Sequence, residues 1–183
     1  MQTARRRFAA DGAIAATLEE IRRDAEVSVG ALYHHFPDKP ALAAAVYAQV
    51  MCEYQAGFVA MLRAHATAEA GIRGGVAHHL RWVAANRSEA ALLLGDRLDS
   101  AELRDCNREF FAAVRDWWRP HHSYGALRPM KAGITAALWF GPAQEFSRYW
   151  IAGDQPKMAR GVVKTFADAA WIALRTNAIE EDE

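Results

Sequence analysis

The stretch from Thr17 to Lys39, TLEEIRRDAEVSVGALYHHFPDK, constrains what the rest of the chain can be. Thr17 and Glu20 have the spacing of a capping box, in which each side chain satisfies a backbone N–H that opens a helix. Leu18, Ile21 and Ala25 then share one helical face. Val27 and Val29 are β-branched and flank Ser28, itself a good N-cap. The spacing therefore predicts one helix that ends near Ala25 and a second from Val29 to about Phe36, with Leu32 and Phe36 as its buried pair. Pro37 ends the second helix, because the residue before a proline is pushed out of the α region. Asp38 caps a third, with Pro40 in its first turn. Helix, short turn and short helix make a helix-turn-helix unit, whose second helix enters the DNA major groove.

The run IRRDAEVSVGALYHHFPDKPAL resembles the signature of the TetR family of bacterial transcriptional repressors, roughly I-A-x-x-A-G-V-S-x-G-x-L-Y-x-H-F-x-x-K-x-x-L. Ile21, Ala25, Val27, Ser28, Gly30, Leu32, Tyr33, His35, Phe36, Lys39 and Leu42 match it. The dense match covers about a quarter of the chain; the remainder fits the family in its all-helical layout and length. Two positions depart. Arg22 stands where the family has a small residue packed between helices, and Glu26 where it usually has glycine in the turn. A left-handed residue there costs a non-glycine roughly 1–2 kcal/mol. Relatives commonly carry a longer basic arm ahead of this point; either the protein lacks that arm or the arm lies ahead of this sequence.

Composition suits a small DNA-reading module on a larger neutral body. The chain has 183 residues, 52% of them hydrophobic, and a formal net charge of zero. One compact core is easily filled and two small ones are possible. The first 40 residues are balanced as well, so DNA binding would depend on placed contacts rather than on bulk field. Cys52 and Cys106 are the only cysteines, far apart and without CxxC spacing; they read as two ordinary helix-buried thiols, with no disulfide and no zinc site. Arg5 to Arg7 are followed by no long apolar run, and no window reaches the ~18 consecutive apolar residues of a membrane span. A cytoplasmic protein without membrane partners is expected.

The pattern beyond the motif is all-α. Residues 2 to about 10 read as a bracing helix stopped near Gly12, with Arg5 to Arg7 either near phosphates or on a solvated face. One long helix runs from Lys39 to about Ala66, and Gly71, Gly74 and Gly75 mark the junction after it. Further helices are expected over about 72–85, 89–94, from Ser100 to Trp118, and from Pro129 to about Ala152 with a kink at Gly141-Pro142. Arg119 to Gly125 reads as a loop and Gly153-Asp154-Gln155 as a turn; Pro156 opens the last helix, and the tail Ile179 to Glu183 as frayed.

The resemblance assigns residues 1–46 to a helix-turn-helix domain of the three-helix, homeodomain-like kind. Residues 47–183 become a helical effector-binding and dimerisation domain. It implies double-stranded operator DNA as a partner, contacted by Thr17, Ser28, Val29, Gly30, Ala31, Tyr33, His34 and Lys39. Tyr33, Lys39, Thr17 and Ser28 would meet phosphates; small Val29 or Ala31 can meet a thymine methyl. His35 is expected on the packed side. A hydrophobic or aromatic small-molecule effector would sit among Phe58, Trp82, Phe110, Trp117 and Trp139. A homodimer would form through Gly133, Ala137, Gly141, Val162, Phe166 and Ala170.

No catalytic set, P-loop or HExxH is present. No enzyme, cofactor or metal is expected; the doublets His78-His79 and His121-His122 lack ligand spacing. The reading is a ligand-responsive repressor acting on a palindrome as a dimer. Arg22, Glu26 and the neutral head leave a helical ligand-binding dimer with a degenerate DNA-binding head as the alternative, with a metal-dependent helical enzyme behind it.

Overall fold

The computed structural model describes residues 1–153 and 157–176. Among the described residues there are nine helices: α1 (Gln2–Ala15), α2 (Leu18–Asp24), α3 (Val29–His35), α4 (Lys39–Arg63), α5 (Ala68–Ala85), α6 (Arg87–Leu94), α7 (Ala101–Ser123), α8 (Ala132–Ala152) and α9 (Val162–Leu174). They form two compact units. The first comprises residues 1–55 and 86–109; the second comprises 56–85 and the chain from 110 onward. The chain passes between the units within α4 and within α7.

In the first unit, α1 buries Ala4 and Phe8, α2 buries Ile21 and α3 buries Leu32. Leu42, Val46 and Val50 recur every fourth residue on α4 and are all buried, the stripe that helical periodicity requires. Arg5 ties α1 to Glu53 on α4 at 2.6 Å and to Glu89 on α6 at 3.4 Å. Tyr47, Ala48 and Leu103 form a second small cluster with Met51, Leu92, Leu93 and Leu98 around it.

The second unit is built around α5, whose Ile72, Val76, Leu80 and Val83 are fully buried and which packs against α8 and α9. Trp139 on α8 donates to the carbonyl of Ile72 at 2.9 Å, and Trp117 on α7 to that of His65 at 3.3 Å. The indole N–H groups are thereby satisfied while the rings fill the core. Leu127, after α7, is buried and pairs with Arg175 beyond α9, with Arg128 N–H on Leu174 O at 2.9 Å.

Several element boundaries differ from the sequence reading. Gly12 does not stop α1, which continues to Ala15. Gly71, Gly74 and Gly75 lie inside α5 rather than at a junction. The expected loop at Arg119 is helical to Ser123, with Pro120 inside α7. The Trp117 and His121 rings lie 4.4 Å apart, tilted on each other across that proline, so packing carries the helix through. The helix expected from Pro129 begins at Ala132, and the last one begins at Val162 after a left-handed Gly161. The turn at Asp154-Gln155, the start at Pro156 and the tail from Ile179 lie outside the described residues.

The cysteines are a further correction. Cys52 on α4 and Cys106 on α7 are joined as a disulfide, with Cα atoms 5.9 Å apart. A sequence separation of 54 hides a proximity that only the packing of the two helices creates.

Candidate nucleic-acid interface

The local chemistry of α2, α3 and the turn between them is the one the sequence requires. Thr17 and Glu20 form the capping box. Glu20 N–H donates to Thr17 Oγ1 at 3.2 Å, and Thr17 N–H to Glu20 Oε2 at 3.0 Å. The Thr17 hydroxyl also donates to Glu20 Oε2, at 2.7 Å, and these bonds hold the Glu20 carboxyl below its usual range. Ser28 caps α3 by accepting from Ala31 N–H at 3.1 Å. Asp38 caps α4 by accepting from Ala41 N–H at 2.8 Å. Phe36 is extended (φ −133°, ψ 104°) ahead of Pro37 and closes α3.

The turn after α2 closes as a Schellman motif. Val27 N–H bonds to Arg22 O at 3.3 Å and Glu26 N–H to Arg23 O at 3.1 Å. Glu26 occupies the left-handed position with φ 54°, the only positive φ at a non-glycine among the described residues. Arg22 is not paired with Glu26. Its guanidinium is bound by both carboxylate oxygens of Glu19, at 2.9 and 2.5 Å, which pulls the Glu19 carboxyl down, and it donates to Val27 O at 3.1 Å.

Six of the seven residues of α3 are exposed, and Leu32 alone is buried. Val29 and Tyr33 are 54% and 50% exposed, high values for apolar and aromatic side chains of a folded unit. A Cβ built on Gly30 would meet nothing within 4 Å. Val29, Gly30, Ala31, Tyr33 and His34 are therefore brought together on one projecting helix, with Ser28 at its start. Thr17, exposed, opens α2 and half-buried Lys39 opens α4. His35 is a correction: it is exposed rather than packed, its ring 5.1 Å from His34 and 6.4 Å from Phe36. Arg5 and Arg7 are engaged by carboxylates, Arg7 by Asp24 at 2.5 Å. Sequence reasoning missed the Arg22 bond to Val27; the excess bulk at position 22 was its one signal.

In the second unit the aromatic set packs ring on ring. Phe58 lies 5.7 Å from Phe110 and 5.9 Å from Trp139, and Trp117 is stacked 6.1 Å from Trp139. Phe58 and Trp139 are buried; Phe110, Trp117 and Trp82 are half-buried. On α8 and α9, Gly133 and Ala137 are exposed, Gly141, Val162 and Phe166 half-buried, and Ala170 buried. A groove of about 190 Å³ runs between these helices, lined by Leu138, Trp139, Pro142, Ala143, Phe166, Ala169, Ala170 and Ala173.

Comparison with known proteins agrees with this geometry. The fold and the exposed α3 define a helix-turn-helix head followed by further helices. Residues 1–46 match the family model for bacterial regulatory proteins of the tetR family. No curated protein sequence matches the chain. Solved structures share its fold over nearly the whole length. A TetR family transcription regulator from Marinobacter aquaeolei VT8 has a TM-score of 0.77 at 16% identity, over 96% of this chain and 93% of that one. A TetR-family transcriptional regulator from Pectobacterium atrosepticum has a TM-score of 0.66 at 21% identity, over 94% and 86%. The transcriptional regulator FadR from Bacillus subtilis, solved in complex with stearoyl-CoA, has a TM-score of 0.73 at 16% identity, over 92% and 94%. Residues 1–46 thus match the DNA-binding head of that family, and the whole chain shares the fold of these solved regulators.

Proposed function

We propose that the protein is a ligand-responsive repressor that binds a palindromic operator as a homodimer. The exposure of α3 carries this reading: a helix that buries one residue in seven contributes little to its own domain and is shaped for a groove. Residues 1–46 read DNA. Val29 and Ala31 approach base edges, Thr17, Ser28, Tyr33 and Lys39 approach phosphates, and His34 lies near either. The closed Schellman turn argues against a degenerate head, since Arg22 and Glu26 are both accommodated in it.

Residues 47–183 take the effector and the second subunit. The effector is hydrophobic or aromatic. The acyl ligand of the Bacillus subtilis neighbour supports an apolar chain, and Phe58, Trp82, Phe110, Trp117 and Trp139 supply apolar walls. Because those rings fill one another's space, an effector must part them, and that displacement favours a different state of α4 from the one DNA favours. Dimerisation uses the α8–α9 face, where Ile134, Leu138 and Ile172 are exposed. Such a protein works in the cytoplasm. The test is selection of binding sites from random duplexes by the full chain, followed by gel shift with and without long-chain acyl-CoA. Enriched palindromes released by ligand support the reading; no enrichment over random DNA refutes it.

A further inference from the structure

The two cysteines are placed where the chain leaves the first unit. Cys52 precedes Gln55, the last residue of that unit on α4, by three positions, and Cys106 precedes Glu109, its last residue on α7, by three. These are the two helices through which the chain passes between units. The Cα separation of 5.9 Å lies within the range that a disulfide spans without backbone movement. Both residues are half-buried, so a small oxidant or a dithiol can reach them. The surroundings also suit the reduced state. Gln55 is buried and donates from Nε2 to Asn107 Oδ1 at 2.7 Å, which leaves its Oε1 3.0 Å from Cys106 Sγ, placed to accept the S–H of a free thiol. Cys106 thus has an acceptor at hand when the pair is reduced.

We propose that Cys52 and Cys106 are a peroxide-responsive thiol pair whose reversible disulfide restrains α4 against α7 and so changes DNA binding. A DNA-binding regulator works in a reducing compartment, where a disulfide is transient and sensory rather than a permanent staple. One thiolate attacks the peroxide, the O–O bond breaks, hydroxide leaves and a sulfenic acid forms. The second thiolate then attacks that sulfur and displaces its hydroxyl as water. Two thiols and one hydrogen peroxide give one disulfide and two waters. A cellular dithiol restores the pair by exchange, becoming a disulfide itself. The functional arm rests on the DNA-binding reading above; the chemical arm does not.

The test treats the fully reduced, full-length chain with hydrogen peroxide, beside Cys52→Ser and Cys106→Ser. Neither residue belongs to the proposed DNA contacts, and melting curves check that both variants fold. The expected result is loss of both thiols with loss of two hydrogens in mass, an intrachain bond between peptides containing Cys52 and Cys106, and recovery with dithiothreitol. Amide exchange in α4 and α7 should slow on oxidation. Affinity for a selected duplex should change by about fivefold or more in the parent and in neither variant. Persistent thiols, overoxidation without a disulfide, or bonds only between chains overturn the proposal. So does a bond that forms while exchange and affinity stay the same. A chain that closes the bond, with slowed exchange, but binds no duplex in either state supports the restraint and overturns the nucleic-acid reading instead.

Discussion

Arg22 and Val27 are bonded twice across the turn that precedes α3: Val27 N–H donates to Arg22 O at 3.3 Å, and Arg22 Nη1 donates to Val27 O at 3.1 Å. The backbone half is the Schellman closure. The side-chain half is available because position 22 carries an arginine, held in place by Glu19. The departure from the family pattern at 22 thus offsets the one at 26, where Glu26 sits at φ 54°. Glu26→Gly should stabilise the DNA-binding unit. Relief of the left-handed penalty, roughly 1–2 kcal/mol, exceeds the extra unfolded-state entropy of glycine, about 0.4–1 kcal/mol. Arg22→Ala should destabilise by about 1 kcal/mol through the lost bond to Val27. Thermal melts of the three proteins side by side decide it; a lower midpoint for the glycine variant is the contrary result.

Tyr33 and Lys39 should act on affinity and Val29 on preference. Tyr33→Phe and Lys39→Ala weaken binding to all duplexes, because phosphate contacts position without specifying. For Lys39→Ala the slope of affinity against salt should fall by about 1. Substitutions at Val29 should change the selected sequence, since it is exposed at the start of α3. Site selection with Val29→Thr and Val29→Ala measures this; an unchanged consensus means that α3 docks otherwise.

His79 makes the second unit sensitive to acid. It is buried, and Ser147 Oγ lies 3.2 Å from its Nε2. The Ser147 hydroxyl donates to Ala143 O at 2.7 Å, so it accepts from His79, which carries its hydrogen on Nε2. Burial first, then the nearby His78 and Arg148, pushes the pKa down to about 4. The unfolded chain therefore binds more protons between about pH 6.5 and 4, and stability rises with pH across that window. It is fully present above the unfolded value and falls on acidification, by on the order of 3 kcal/mol at most. His79→Gln should flatten the dependence of the melting midpoint on pH between 6.5 and 4; an unaltered slope removes His79 as its cause.

The DNA-binding head was legible in the sequence because its signals are local. Thr17 with Glu20, Ser28 with Ala31 and Asp38 with Ala41 each act over three residues, and each bond is present. Even the positive φ at Glu26 followed from one departure in the motif. What the sequence hid is non-local. Pro120 reads as a helix breaker until Trp117 and His121 are seen packed against each other across it. Cys52 and Cys106 read as separate thiols until α4 and α7 are packed. Of the expected effector walls, Phe58, Phe110, Trp117 and Trp139 pack ring against ring, a property of packing that no spacing records.

Gly71 shows the same point in a form that can be measured. A Cβ there would overlap the Trp117 ring, and one on Gly75 would stand 2.9 Å from Trp139 Cζ2. Helix propensity favours alanine over glycine by about 1 kcal/mol, whereas overpacking a core costs about 1–3 kcal/mol. At Gly71 the ring cannot yield without leaving the core, so Gly71→Ala should lower stability by about 1–2 kcal/mol. At Gly133 nothing of the same chain lies within 4 Å, so in the dissociated chain propensity acts alone and alanine should raise helix stability. Urea denaturation of both variants tests the contrast; equal effects would mean that Trp117 does not pack on α5.

The α8–α9 face should separate from its second copy when a charge is placed on it. Ile172 is 59% exposed and Leu138 37%, so a carboxylate at either position stays hydrated in a lone chain and costs the fold little. In the proposed dimer the same carboxylate is removed from water against apolar Ile134, Phe166 and their counterparts. An unpaired buried charge is far more expensive than the methyl groups it replaces. Ile172→Asp and Leu138→Asp should each weaken dimerisation by about 3 kcal/mol or more, roughly two orders of magnitude in the dissociation constant, with the melting midpoint of the dissociated chain little changed. Phe111 is 53% exposed but lies on α7, so Phe111→Asp should leave the dimer intact. Operator binding should fall with dimerisation, because each chain carries one α3 and a palindrome requires two. Sedimentation equilibrium of the parent and the three variants is the measurement. A monomeric parent at micromolar concentration, or dissociation by Phe111→Asp alone, would refute this assignment of the interface.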